Sequence, residues 1–147
     1  MKAASLLGLA GLFATTAFAE VQIQIQELVF GQQMSKYTSE FVYCLSVDGE
    51  DVTSDMITRL ARDDFTIVGA SKCTQNIDMR TGGSFHTDSR RKAMFVRVRD
   101  FSSEGFGQAI VSWESYHHGL FAEGSKLRLA LSDGVWRVVG AFDSWEA

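Results

Sequence analysis

The chain has 147 residues, of which 46% are hydrophobic and 22% charged, with a formal net charge of -4. That balance excludes a disordered chain, and the mild acidity argues against a general nucleic-acid binder, which needs a strong basic field. Proline is absent, so glycines and Asp/Ser clusters must turn the chain.

Residues 1–19 read as a secretory signal peptide. Lys2 supplies the positive start, Leu6 to Phe13 the apolar run, and Ala17-Phe18-Ala19 the small-x-small cleavage site. The segment is too short for a membrane span, and no later apolar run replaces it. The mature product then starts at Glu20, where a lipoprotein would need cysteine. It is expected to be secreted, and periplasmic in a host with two membranes. Residues 20–147 suffice for one α+β domain with its own core.

Residues 21–34 carry two periods. Val21-Gln22-Ile23-Gln24-Ile25-Gln26 alternates like a strand, whereas Val21, Ile25, Leu28, Val29 and Gln32 share a helical stripe. Gln and Leu favour the helix, with Gly31 weakening its end. Residues 40–48 are expected to form a strand with Phe41, Tyr43, Leu45 and Val47 on one face. Asp48-Gly49-Glu50-Asp51 turns the chain, and a helix over 53–63 follows, capped by Thr53 or Asp51 and striped with Met56, Ile57, Leu60 and Ala61. A second strand over 65–71 leads to Cys73.

Cys44 and Cys73 are the two cysteines, and an even number in an exported chain predicts a disulfide. Closing such a loop stabilises by roughly 3.5 kcal/mol in the chain-entropy model. Residues 74–91 read as a polar loop around Gly82-Gly83. An antiparallel meander follows, with strands at 92–101, 105–116, 124–132 and 134–143. Its apolar face is assigned to Met94, Val96 and Val98, then Ala109, Val111 and Trp113, then Leu127, Leu129 and Leu131, then Trp136, Val138 and Phe142. The two N-terminal helices are the covers available for that face.

The strand Val42-Tyr43-Cys44-Leu45-Ser46-Val47, the Ser71-x-Cys73 strand end and the closing Trp136-Arg137-Val138-Val139 with Trp145 carry a resemblance. Together they resemble a small exported bacterial domain of unknown function in the NTF2-like and cystatin-like group. The resemblance implies a curved antiparallel sheet wrapped on N-terminal helices. Such folds host enzymes, ligand pockets and protein-binding modules, so it carries over no functional residue.

Catalytic and metal motifs are weak. His86, Asp88 and Ser89 contain the letters of a hydrolase triad, but no nucleophile elbow accompanies them. His117 and His118 are strand neighbours and are expected to point to opposite faces. Val52 stands where a calcium loop beginning at Asp48 would need an oxygen ligand. No catalytic residue, metal site or cofactor is assigned.

Two features rise above this background. Residues 36–64 hold three basic and seven acidic side chains, whereas residues 72–99 hold seven basic and two acidic. Alternation places Arg97, Arg99, Lys126 and Arg128, joined by Arg137, opposite the apolar face. They form a candidate docking face for an acidic protein or anionic polymer, unless cross-strand pairs such as Arg97 or Arg99 with Glu114 consume them. Trp113, Tyr116 and Trp136 form a candidate pocket wall. The sequence therefore favours a noncatalytic binding or protein-interaction domain over its alternative, a small pocket enzyme or ligand carrier. Neither nucleic acid nor a membrane span is expected, and the oligomeric state is open.

Overall fold

The structure, a computed structural model, describes the backbone from Ser5 onward and side chains from Ala17 onward. Lys2 and the side chains of Leu6 to Phe13 therefore lie outside the described residues. Helix α1 spans Ser5–Lys36 and contains the helix expected at 21–34. It runs on past Gly31, whose small size lets Arg62 approach within 3.4 Å of where a Cβ would stand. Ile25, Val29, Phe30 and Met34 lie at helical spacing and are fully buried. Each such burial stabilises by about 1.5–3 kcal/mol.

Strand β1 is Val42–Val47, followed by the short β2, Glu50–Asp51. Asp48 and Gly49 between them have φ of 50° and 82°, the left-handed pair that a tight hairpin requires. Helix α2, Ser54–Leu60, is shorter than expected at both ends. Thr53, itself extended, caps it by accepting from the Met56 N–H, and Ala61 ends the helix at φ -53° and ψ 128°, its N–H donating to the Thr58 carbonyl. Strand β3 is Thr66–Gly69, and a 3₁₀ turn over Ala70–Lys72 replaces the end of the longer strand expected there.

The segment read as a polar loop has structure of its own. It holds β4, Cys73–Thr74, a 3₁₀ turn at Met79–Thr81, and β5, Phe85–His86, which pairs with β4. The meander follows as β6 (Ala93–Gly105), β7 (Gln108–His118), β8 (Phe121–Ser132) and β9 (Val135–Glu146). The main sheet has seven strands in the order β2-β1-β6-β7-β8-β9, with β3 also on β1. Most pairings are antiparallel, but β1 is parallel to both β3 and β6. Two helices packed on a mostly antiparallel sheet make the fold α+β.

The helix-covered face carries the main core. Met94, Val96, Val98, Ala109, Val111, Trp113, Leu127 and Leu129 are buried there against α1, Met56 and Leu60. Leu131 keeps its place on this face, opposite Trp136, but is 45% exposed because it lies at the end of β8 beside the Asp133-Gly134 turn. One assignment fails. Phe142 lies on the opposite face, over which Lys126 and Arg128 fold. The cause is a bulge: Leu129 pairs with Val138 and Arg128 with Gly140, so Val139 is an extra residue. A one-residue insertion exchanges the two faces beyond it. Ala141, opposite Leu127, takes the inward register instead.

Cys44 and Cys73 are bonded, with Cα atoms 6.3 Å apart. The bond ties the 70–91 segment to β1. Beneath it lies a second, smaller core of Val42, Cys44, Ala93 and Phe95, with Val68, Ala70, Cys73 and Tyr116 packed around it. Among the described residues no helix is long and apolar enough to cross a membrane.

Candidate functional site

Strand alternation brings all five predicted cations to the sheet face away from α1, but not to the same condition. Arg97 and Arg99 share one carboxylate: Arg97 donates to Glu114 at 2.8 Å and Arg99 to its other oxygen at 3.2 Å. The register sets this up, since Arg97 lies directly opposite Glu114. Arg97 also donates to Gln75 at 2.7 Å and stacks on Phe95 and Tyr116. It is therefore part of the roof over the small core, half-buried and spoken for.

The β8–β9 half of that face differs. Lys126 and Arg128 are exposed and lie over the Phe142 ring at 5.9 and 5.4 Å. Lys126 has a loose ion pair with Asp143 at 3.4 Å. Arg137 is exposed on β9, and neither Arg128 nor Arg137 has a carboxylate partner among the described residues. Trp145 lies flat against Gly124, where a Cβ would stand 2.6 Å from the indole nitrogen. Only glycine admits the ring there. A shallow depression of about 560 Å³ results, lined by Arg99, Ser112, Lys126, Asp143 and Trp145. Cations held over aromatic rings on an open sheet are suited to carboxylates on a partner.

The predicted pocket wall does not converge. Trp113 is buried in the main core, with the Lys36 ammonium 5.2 Å from its ring. Tyr116 is on the other face, beside the small core. Trp136 lines a different feature, an open groove of about 710 Å³ between α1, α2 and the β8–β9 turn.

The structure also assembles a cluster that the sequence did not announce. Glu123 accepts from Tyr37 at 2.5 Å and from Lys36 at the last turn of α1. Burial raises the Glu123 carboxyl, but the Lys36 and Tyr37 donors outweigh it and hold the group below the ordinary carboxylate range. Burial, then the Glu123 contact, pushes the Tyr37 hydroxyl far up, so it stays a neutral donor. Next to this cluster His117 is buried against Phe41 and Phe121, and its Nδ1 lies 2.8 Å from the Ala93 carbonyl oxygen. Burial pushes the His117 ring below its usual pKa. An ionised carboxylate already bound by two donors is a poor general base, so this network orders the C-terminal end of α1 on β8.

The weaker motifs resolve locally. His86 and Ser89 are hydrogen-bonded at 2.7 Å within one tight turn, where the Ser89 N–H also points at the same ring nitrogen. A bulge between Tyr116 and His118 leaves the His117 and His118 rings 5.2 Å apart, but His118 accepts from the Leu120 N–H. Asp51 is engaged by the Ser71 N–H and hydroxyl, which lower its carboxyl. Among the described residues no group of three His, Cys, Asp or Glu side chains could hold a metal.

Comparison with family models, with curated proteins and with solved structures gives no match.

Proposed function

We propose that this chain is an exported, noncatalytic binding domain that docks an acidic protein on the open half of its sheet. The observation that carries this reading is the exposed row Lys126, Arg128 and Arg137 with Phe142 and Trp145, in a chain whose net charge is -4. A local basic face on an acidic protein steers an acidic partner to one orientation. Arg97 contributes scaffold rather than contact, because Glu114 and Gln75 already occupy it.

Export is supported by the signal-like residues 1–19 and by the disulfide, a bond that persists in oxidising compartments. Cleavage after Ala19 falls within α1 yet spares the core: Ile25, Val29, Phe30 and Met34 all lie after Glu20. The domain proper is then residues 20–147. A long helix packed on a bulged, mostly antiparallel sheet supports the NTF2-like or cystatin-like arrangement. Reversing Arg128 and Arg137 to glutamate should remove acidic partners from an envelope-fraction pull-down while the fold persists. Wild-type binding should weaken as salt rises. Unchanged recovery by the double variant overturns the docking reading.

A further inference from the structure

The β6–β7 hairpin ends in Gly105-Phe106-Gly107, with φ of 79°, 46° and 70°. A left-handed conformation is costly for a bulky aromatic residue, and glycine or asparagine is usual there. Phe106 nevertheless holds it, and its ring is fully exposed. With Gly107 it forms the left-handed pair of a tight hairpin, as Asp48-Gly49 does, but no described residue packs against the exposed ring. Directly beside it, the Leu131 N–H donates to the Gly107 carbonyl at 2.8 Å, and Leu131 is itself exposed. The two hairpin tips thus make one apolar knob, flanked by the acids Glu104 and Asp133.

The same end of the molecule carries the open groove. Leu28, Leu60, Val135 and Trp136 supply its apolar walls, and its rim carries Arg59 and Arg62. Arg59 is matched by Asp55 and Glu27. Arg62 donates to the Ser35 hydroxyl and the Gly31 carbonyl, and has no carboxylate partner among the described residues. Among the described residues, Glu104 is bonded by the Ser102 hydroxyl alone. An aromatic knob beside an unmatched carboxylate therefore complements an apolar groove beside an unmatched guanidinium.

We propose that Phe106 of one copy seats in the α1–α2 groove of a second copy of this chain, with Glu104 reaching Arg62 of that copy. Knob and groove adjoin the β8–β9 turn, so a two-fold axis near that turn lets each copy fill the other. This contact is separate from the basic sheet face and does not depend on it.

The test is sedimentation velocity across a concentration series, using the whole chain as purified with the Cys44–Cys73 bond formed. Wild type should associate reversibly. Phe106→Gly suits the left-handed backbone, so it should keep the fold and weaken association by about tenfold or more. Gln32→Trp, at an exposed α1 position lining the groove, should block the other half of the contact. Mixed, the two variants should form a heterodimer, because one carries an open groove and the other a knob. Thermal melts establish that each variant is folded. A wild type that stays monomeric at every concentration overturns the proposal. So does undiminished association of Phe106→Gly, or a folded mixture that stays monomeric.

Discussion

The outer face of the sheet is two surfaces in one. Over β1 and the start of β6 it is roofed: Val42, Cys44 and Phe95 are buried beneath a segment that one disulfide ties down. Over β8 and β9 it is bare, with Lys126, Arg128 and Arg137 in solvent. The same alternation builds both halves, so the difference lies in which residues take the outward positions. In β1 both faces are apolar, giving a continuous buried run, as a strand covered on both sides requires. In β7 and β8 the outward positions mix Ile110 and Ala130 with Ser112, Glu114, Lys126 and Arg128, and nothing among the described residues covers them at the β9 end. A closed half gives stability, whereas an open half leaves charge available for recognition.

Breaking the roof should have the largest effect. Replacing Cys44 and Cys73 together with alanine should cost about 2–5 kcal/mol in urea unfolding. Hydrogen exchange should accelerate at Ser84 and Ala93, whose amides lie under or along the 70–91 segment, and stay slow in β8. Equal acceleration in β8 would mean that the two halves are one cooperative unit.

Removing the carboxylate that two arginines share should matter less. Glu114→Gln is expected to cost about 1 kcal/mol, because the Arg97 pair is half-buried and doubly hydrogen-bonded. Asp143→Asn on the bare half should cost less than about 0.5 kcal/mol, since its pair with Lys126 is long and exposed. The contrast sharpens the distinction between scaffold arginines and free cations.

Acid should loosen the molecule in two steps on the helix-covered face. His117 has a folded pKa below its ordinary 6.5, so its contribution is complete above pH 6.5 and is lost as pH falls through the folded value. Glu123 is held below its ordinary 4.5, so its contribution is lost at lower pH still. Urea midpoints over a pH series should show both steps, and His117→Asn should erase the first alone.

Charge reversal at Arg128 and Arg137 should have the smallest effect on stability. Less than about 0.5 kcal/mol is expected, as for exposed sites without partners. A larger loss would show that these cations are held by the fold.

Much of this was legible because it is local. Alternation gave the meander and the outward cations, Thr53 gave the α2 cap, and two cysteines gave the bond. The Glu114 pairing followed from cross-strand neighbours. Phe142 was misplaced because the Val139 bulge shifts its register, and a bulge is decided by both strands. The glycine at 140, inside a strand, was the available warning. The 74–91 segment looked like a loop because its backbone, rather than an apolar pattern, does the attaching. Gly83 is telling, since a Cβ there would stand 2.8 Å from the His117 ring. The Lys36–Tyr37–Glu123 cluster joins residues far apart in the chain, and no local spacing encodes it.

The parallel pairing of β1 with β6 has a consequence for how the protein is made. The meander β6–β9 consists of adjacent hairpins and can close on itself quickly. Strand β1 cannot, because Val42 must meet Ala93 and the chain between them is synthesised later. During vectorial synthesis, the apolar strand Val42–Val47 therefore emerges first and waits, with both edges unpaired, for the strands that will flank it. Protecting that waiting strand is a demand this topology places on the cell's folding helpers, whatever the finished domain goes on to bind.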